Sequence, residues 1–228
     1  MTPGHPDARA KEPSAIAARP PLVLASRSPQ RKALLEGLGV VFTIRAAHTE
    51  ELEHGFDPAQ VALENALRKA RAASAAGDGA PEVVVGCDTI VVLDGVIYGK
   101  PPDADAARGT LSALGGRTHE VLSGLAVLLP SGAGEGPRSG ERSRPAGRLQ
   151  PEERTAVART RVSFRPLDAQ LLDWYVATEE WRGRSGGYAI QGAASALVLA
   201  VEGEEDNVVG LPVATLLELY PELPAHRA

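Results

Sequence analysis

The sequence predicts an α/β protein with a mixed sheet, built as one domain or as two intimate lobes. Three observations predict it. Strand-like and helix-like stretches alternate along the chain. The β-branched run VVVGCDTIVVLDGVIYGKP turns at Asp94-Gly95, a strong short-range hairpin signal. Two further strand-like stretches flank a Gly-, Pro-, Ser- and Arg-rich segment, which joins them most simply as an antiparallel pair with an enlarged loop. At ~100 to 200 residues per domain, 228 residues hold one full domain or two small ones.

The elements follow in order. Residues 1–20 carry prolines without a hydrophobic period and read as a flexible tail; the ordered domain spans 21–222, and 223–228 read as a C-terminal tail. Leu22 to Ala25 is a short apolar strand. Ser28-Pro29 supplies an N-cap and a first-turn proline for a helix running through Leu34, Leu35 and Leu38 to Gly39. Asp57-Pro58 opens a second helix that runs to about Ala75. Val83 to Leu93 and Val96 to Tyr98 form the hairpin, and Asp103 to Leu114 is a third helix stopped by Gly115-Gly116. Val121 to Leu129 and Arg154 to Phe164 are strands, the second alternating Ala156, Ala158, Thr160, Val162 and Phe164 with polar neighbours. Residues 130–153 between them read as a long mobile loop. Leu167 to Ala177 is a fourth helix, Ala194 to Val201 a strand and Pro212 to Tyr220 a last helix.

Composition narrows the function classes. Hydrophobic residues make up 43% and charged residues 23%, an ordinary globular balance that can bury a core. The formal charge of −5 excludes a globally basic nucleic-acid coat, so an anionic ligand has to meet a local cluster of Arg and Lys. Stable nucleic-acid binding is not expected, although Arg138, Arg142, Arg144 and Arg148 in the long loop offer an anion-facing surface. The single cysteine, Cys87, excludes a disulfide framework and a cysteine zinc site. Neither a secretory signal nor a membrane span is expected, and the cytoplasm is the natural location.

Chemistry concentrates in a few places. In LASRSPQRKALLEGLG a strand runs into a helix start carrying Ser26, Arg27, Ser28, Arg31 and Lys32. Free amides, hydroxyls and a guanidinium there make an anion site, or simply a capped helix with solvated basic residues. Asp88 lies inside an apolar strand, where a carboxylate is costly unless paired, hydrogen-bonded or metal-bound; adjacent Cys87 points to the other face and reads as core. Glu50, Glu51 and Glu53 offer hard oxygen ligands suited to Mg²⁺ or Mn²⁺, or a solvated acidic loop. The histidines, His48 and His54 among them, show no ligand spacing. Asn65 and Lys69 share a helix face at i,i+4. Lys100 precedes Pro101-Pro102 and is held in a turn, and Gln191 sits among glycines, where its amide reads a base edge or caps a turn.

Taken together the segments resemble the Maf family of nucleoside triphosphate pyrophosphatases, from about Leu22 to Tyr220. LASRSPQRKALLEGLGV is similar to the family's opening block, LRKARA to its helix motif, and GCDTIVVLDGVIYGKPPDADAA to its DT…KP signature; GGRTHEVLSGLAV, GGYAIQGAAS and NVVGLPV resemble the remaining blocks. The resemblance implies a cytoplasmic, homodimeric, Mg²⁺- or Mn²⁺-dependent enzyme hydrolysing a nucleoside triphosphate to monophosphate and pyrophosphate. It also implies the elongated α/β fold of the inosine triphosphate pyrophosphatases, with two lobes around a cleft. Position by position, Asp88 matches the proton-acceptor aspartate; Ser26, Arg31, Lys69 and Lys100 match phosphate-binding residues; Glu50 or Glu51 matches a metal-site acid. Asp88 can serve as base or as metal ligand. Thr89 and Gln191 match positions tied to base choice and resemble the dTTP/UTP-directed branch. One departure is Gln30, where that branch commonly has Arg; a neutral amide removes a cation and a bidentate donor there, which predicts weaker discrimination among bases. The family name also suggests an alternative, a non-catalytic nucleotide-sensing regulator of septum formation.

Overall fold

The computed structural model describes residues 19–52, 57–130 and 151–227. In chain order its elements are β1 (Leu22–Leu24), α1 (Pro29–Gly37), β2 (Thr43–Ile44), α2 (Pro58–Ala75), β3 (Val83–Leu93), β4 (Val96–Tyr98) and α3 (Ala104–Leu114). There follow β5 (Thr118–Leu129), β6 (Glu152–Phe164), α4 (Ala169–Ala177), β7 (Val198–Glu202), α5 (Glu205–Val209) and α6 (Val213–Leu219). Seven strands form one mixed sheet in the order β2-β1-β3-β5-β6-β7, with β4 on β3. The α/β class is therefore as the sequence predicts. Short polar caps set the helix starts: Ser28, Asp57, Asp103 and Asp168 each accept a backbone N–H of the first turn, one of the donors a helix start leaves unpaired.

Several expectations change. Ala194 to Val201, read as a strand, begins as a 3₁₀ turn over Ala193–Leu197, and β7 starts only at Val198. Ala194 and Leu197 are both buried at i,i+3 spacing, a 3₁₀ pattern that a short apolar run conceals. β2 and α5, too short to give a periodic signal, were not expected. Residues 223–227, read as part of a tail, are packed: Leu223 is buried and Arg227 bridges Val40. β5 and β6 pair antiparallel out to Leu129 with Glu152, so the connection begins its return two residues earlier than read. Residues 1–18 of the N-terminal segment and 131–150 of the loop, with Glu53, His54 and the four loop arginines, lie outside the described residues.

Alternation along β3 positions the site. Val83, Val85 and Cys87 face a cluster with Leu24, Leu35, Leu125 and Leu216. Val91 and Leu93, on the same face, join a second cluster with Leu111, Phe164, Tyr175 and Trp181. Between these two cores stand Thr89 and its β5 partner Ser123, their hydroxyls 2.7 Å apart. The opposite face packs on α2, where Ala62, Ala66, Ala70 and Ala73 are fully buried. α2 comes so close because β3 and β5 present glycines to it. A Cβ at Gly86 would lie 2.3 Å from the Ala66 carbonyl oxygen, and one at Gly124 2.2 Å from that of Ala62.

Candidate active site

β1 pairs with β3 only over Val83–Val85, and β4 only over Val91–Leu93. Residues 86–90 of β3 thus have a bare edge on that side among the described residues, and Asp88 and Thr89 sit in the gap. A cleft of about 400 Å³ opens there, between the end of β1, the loop that follows β2, Lys69 of α2, the turn at Lys100 and the Gly183–Gln191 loop. Ligand sites in open α/β sheets form in crevices of this kind, beyond the carboxyl end of a strand such as β1.

On the α2 face, Asp88 is buried to 6% exposure. Lys69 Nζ lies 2.5 Å from its Oδ1, and Asn65 Nδ2 donates to its Oδ2 at 3.1 Å. The same Asn65 amide donates to the Leu52 carbonyl at 3.1 Å and accepts from the Leu52 N–H at 2.8 Å. This clasp brings Glu51 to Lys69 at 2.7 Å and to Lys100 at 3.6 Å. Carboxylate and ammonium therefore alternate: Asp88, Lys69, Glu51, Lys100. Burial alone would raise the Asp88 pKa, but the Lys69 ammonium, the Arg31 guanidinium and the Asn65 amide outweigh it and hold the carboxyl below its usual range. Glu51 is lowered likewise: burial is overcome chiefly by Lys69, with Lys100 helping.

On the other face, α1 starts immediately after β1 and delivers Arg31. Its Nε donates to the Gly210 carbonyl at 2.7 Å, one terminal nitrogen to Ser26 Oγ at 3.2 Å and the other to Thr89 Oγ1 at 3.1 Å. Ser26 Oγ also accepts the Ser28 N–H at 3.1 Å. Gln30 folds back on the cap, its Oε1 accepting from Ser28 Oγ at 3.0 Å. Cys87 faces away from Asp88 and donates to the Gly210 carbonyl at 3.3 Å; burial pushes its thiol pKa up, so it is a core thiol rather than a nucleophile.

Ser26, Gln30, Arg31, Glu51, Lys69, Thr89, Lys100 and Gln191 all line the one cleft, and Asp88 sits directly behind Lys69. Both acids left open by the sequence are exposed, but Glu51 lines the cleft and reaches Lys69 while Glu50 stands outside the wall. Among the described residues no group of three or more His, Cys, Asp or Glu could hold a metal ion; Glu51 and Asp88 are two carboxylates on one ammonium. Sequence reasoning missed Ser123 and Arg184. Ser123 was signalled only by a hydroxyl between Val121 and Leu125 on the inward face of β5, and Arg184 only by a cation at the head of a glycine cluster.

Comparison with known proteins identifies the family. A family model described as Maf-like protein matches residues 21–223. The chain is 46% identical over 198 residues to a dTTP/UTP pyrophosphatase of Anaeromyxobacter sp. (strain Fw109-5), covering 87% of each chain. It is 39% identical over 202 residues to one of Symbiobacterium thermophilum, covering 88% of this chain and 93% of the relative. A dTTP/UTP pyrophosphatase of Pyrococcus furiosus is 34% identical over 198 residues, covering 87% of this chain and 93% of the relative. The motifs in register, the cleft at the bare edge of β3 and the match over residues 21–223 lead to one conclusion: the chain belongs to the Maf-like protein family.

Proposed function

We propose that the chain hydrolyses nucleoside triphosphates, dTTP and UTP foremost, to the monophosphate and pyrophosphate. The observation that carries this reading is the alternating row Asp88, Lys69, Glu51, Lys100 beside Arg31 in one cleft. A triphosphate is a dense anion, and cations arriving from separate elements neutralise it through positioned charge, the main contribution to catalysis in such transfers. The names of the relatives supply the substrate class.

Asp88 takes the proton of the water that attacks the α-phosphorus. With Lys69 at 2.5 Å it is ionised but weakly basic. An incoming phosphate competes for the Lys69 ammonium, and as that contact loosens the carboxylate regains basicity when the proton must be accepted. Arg31 and Ser26, fixed on the α1 start, bind phosphate oxygens from the other wall. The Thr89 hydroxyl is taken up by Arg31, Ser123 and the Gly210 carbonyl, so its influence on base choice runs through Arg31. Gln191, exposed at the cleft, carries the amide that reads the base edge.

A divalent cation, Mg²⁺ or Mn²⁺, belongs to this proposal. Mg²⁺ is usually held by one or two carboxylates together with substrate phosphates and water rather than by a closed protein cage, and Glu51 on the cleft wall fits that mode. Glu51 would hold it together with the substrate phosphates, and when bound it would supply charge neutralisation and acidify water, while Asp88 keeps the role of proton acceptor. A cytoplasmic homodimer completes the reading; among the described residues no helix is long and apolar enough to cross a membrane, and sedimentation analysis tests the dimer.

The test is a nucleotide panel with Mg²⁺ or Mn²⁺, assayed for both pyrophosphate and orthophosphate. Release of pyrophosphate, stopped by EDTA, is expected. Stepwise release of orthophosphate, or no turnover of any triphosphate, contradicts the proposal.

A further inference from the structure

Five cations line the cleft: Arg27, Arg31, Lys69, Lys100 and Arg184. Arg31 gives three of its five N–H groups to protein acceptors, and Lys69 and Lys100 face Glu51, with Asp88 on Lys69 as well. Arg27 is exposed at the rim. Arg184 differs from all of these. It is half-buried, yet its guanidinium pairs with no carboxylate and makes no hydrogen bond among the described residues.

The backbone that carries it is firmly fastened. Arg184 N–H donates to the Trp181 carbonyl at 3.1 Å. Ser185 Oγ donates to the Thr89 carbonyl at 2.9 Å, and Gly186 N–H to the Gly99 carbonyl at 3.0 Å. Gly186 has φ +70° and lies so close to β3 that a Cβ would be 2.7 Å from Val91 Cγ2; only glycine meets both demands. The turn is thus pinned to Thr89 on one side and to the residue before Lys100 on the other. A rigid mount for an unneutralised guanidinium is what a site for an anionic ligand requires, because the ordering cost is met before the ligand arrives.

We propose that Arg184 is a further substrate-binding residue, its planar fork gripping the β- and γ-phosphates beside Lys100 and remaining on pyrophosphate as it leaves. The assignment rests on the pyrophosphohydrolase reading. The Gly186 N–H bond to the Gly99 carbonyl sets the Arg184 turn beside the Lys100 turn, so the two cations act together on the phosphates, and a guanidinium matches phosphate oxygens bidentately where an ammonium offers a point charge.

The test compares the parent with Arg184→Ala and Arg184→Lys, measuring KM for UTP, the inhibition constants of inorganic pyrophosphate and of UMP, and the ratio of kcat/KM for dTTP over GTP. Arg184→Ala should raise KM and the pyrophosphate constant together by about tenfold or more, the loss expected for one charge-assisted contact. UMP inhibition and the dTTP over GTP ratio should stay unchanged, and Arg184→Lys should fall between. An unchanged pyrophosphate constant, or a changed base ranking with normal pyrophosphate inhibition, overturns the assignment. Should the parent release no pyrophosphate at all, the pyrophosphohydrolase reading fails instead. Calorimetric titration with pyrophosphate then still decides on Arg184: weaker binding to Arg184→Ala supports an anion contact, and equal binding overturns it.

Discussion

Gly124 lies so close to Ala62 that a Cβ on it would sit 2.2 Å from the Ala62 carbonyl oxygen. Gly124 is also the register partner of Asp88 across β3 and β5. The missing side chain is therefore what lets α2 settle onto the sheet, and that approach is what brings Asn65 and Lys69 to Asp88. Gly124→Ala should cost at least about 2 kcal/mol through overpacking and lower turnover by lifting Lys69 from Asp88. Denaturant midpoints and UTP turnover check both. Gly109→Ala is the control: its added Cβ meets nothing within 4 Å in the interior of α3, where alanine favours the helix, so it should be neutral or stabilising.

Asp88→Asn should lose ~10²-fold or more in turnover, the range of a positioned general base, while remaining folded. The shapes match, and Lys69 keeps Glu51 at 2.7 Å, so no buried ammonium is stranded. Near-UV circular dichroism beside a kcat measurement is the check. Turnover near that of the parent would remove Asp88 from the proton transfer.

His119 sets a pH dependence of stability. It is 1% exposed, edge-on to Phe164 and Tyr188, with Nε2 2.8 Å from the Tyr188 hydroxyl and no partner for Nδ1 among the described residues. Burial lowers its pKa from 6.5 to about 4, so the fold holds it neutral while the unfolded chain takes up a proton. Its contribution is complete above pH 6.5 and is lost as pH falls toward 4. Between those limits His119→Gln should flatten the slope of unfolding free energy against pH, by up to about 1.4 kcal/mol per pH unit. Equal slopes in the two proteins would show that His119 does not titrate there.

Gln30 should loosen base discrimination. Its carbonyl is engaged by the cap hydroxyl of Ser28 at 3.0 Å, and in place of a guanidinium it offers a neutral amide. Gln30→Arg adds a cation and a bidentate donor at the α1 start, and the preference for dTTP and UTP over CTP and GTP should rise several-fold. Values of kcat/KM for dTTP, UTP, CTP, GTP and 7-methyl-GTP on both proteins measure it. Unchanged kcat/KM ratios between the bases exclude Gln30 as a specificity residue, and a parent that prefers 7-methyl-GTP contradicts the dTTP/UTP reading.

Local chemistry made much of the fold legible in the sequence. Ser28-Pro29, Asp57-Pro58 and Asp103 open their helices as their side chains dictate, and Asp94-Gly95 turns the β3–β4 hairpin. Asp88 stood out because a carboxylate inside an apolar strand demands a partner. What stayed hidden is what long-range packing decides. The β1–β3 pairing joins Leu22 to Val83, and no local signal reports it. The choice of Glu51 over Glu50 depends on the Asn65 clasp at Leu52, a contact between segments with no shared period. Thr89 became a support for Arg31 only once Ser123 and Gly210 were seen beside it. Arg184 is invisible to periodicity because its role comes from a loop pinned at Thr89 and Gly99.

The central claim is that water, deprotonated by Asp88, attacks the α-phosphorus. Hydrolysis of UTP in ¹⁸O-labelled water with Mg²⁺, followed by mass spectrometry of both products, tests it most directly. The account predicts one labelled oxygen in UMP and none in the pyrophosphate; label in the pyrophosphate, or labelled orthophosphate accompanying UDP, would place the attack on another phosphorus and contradict it.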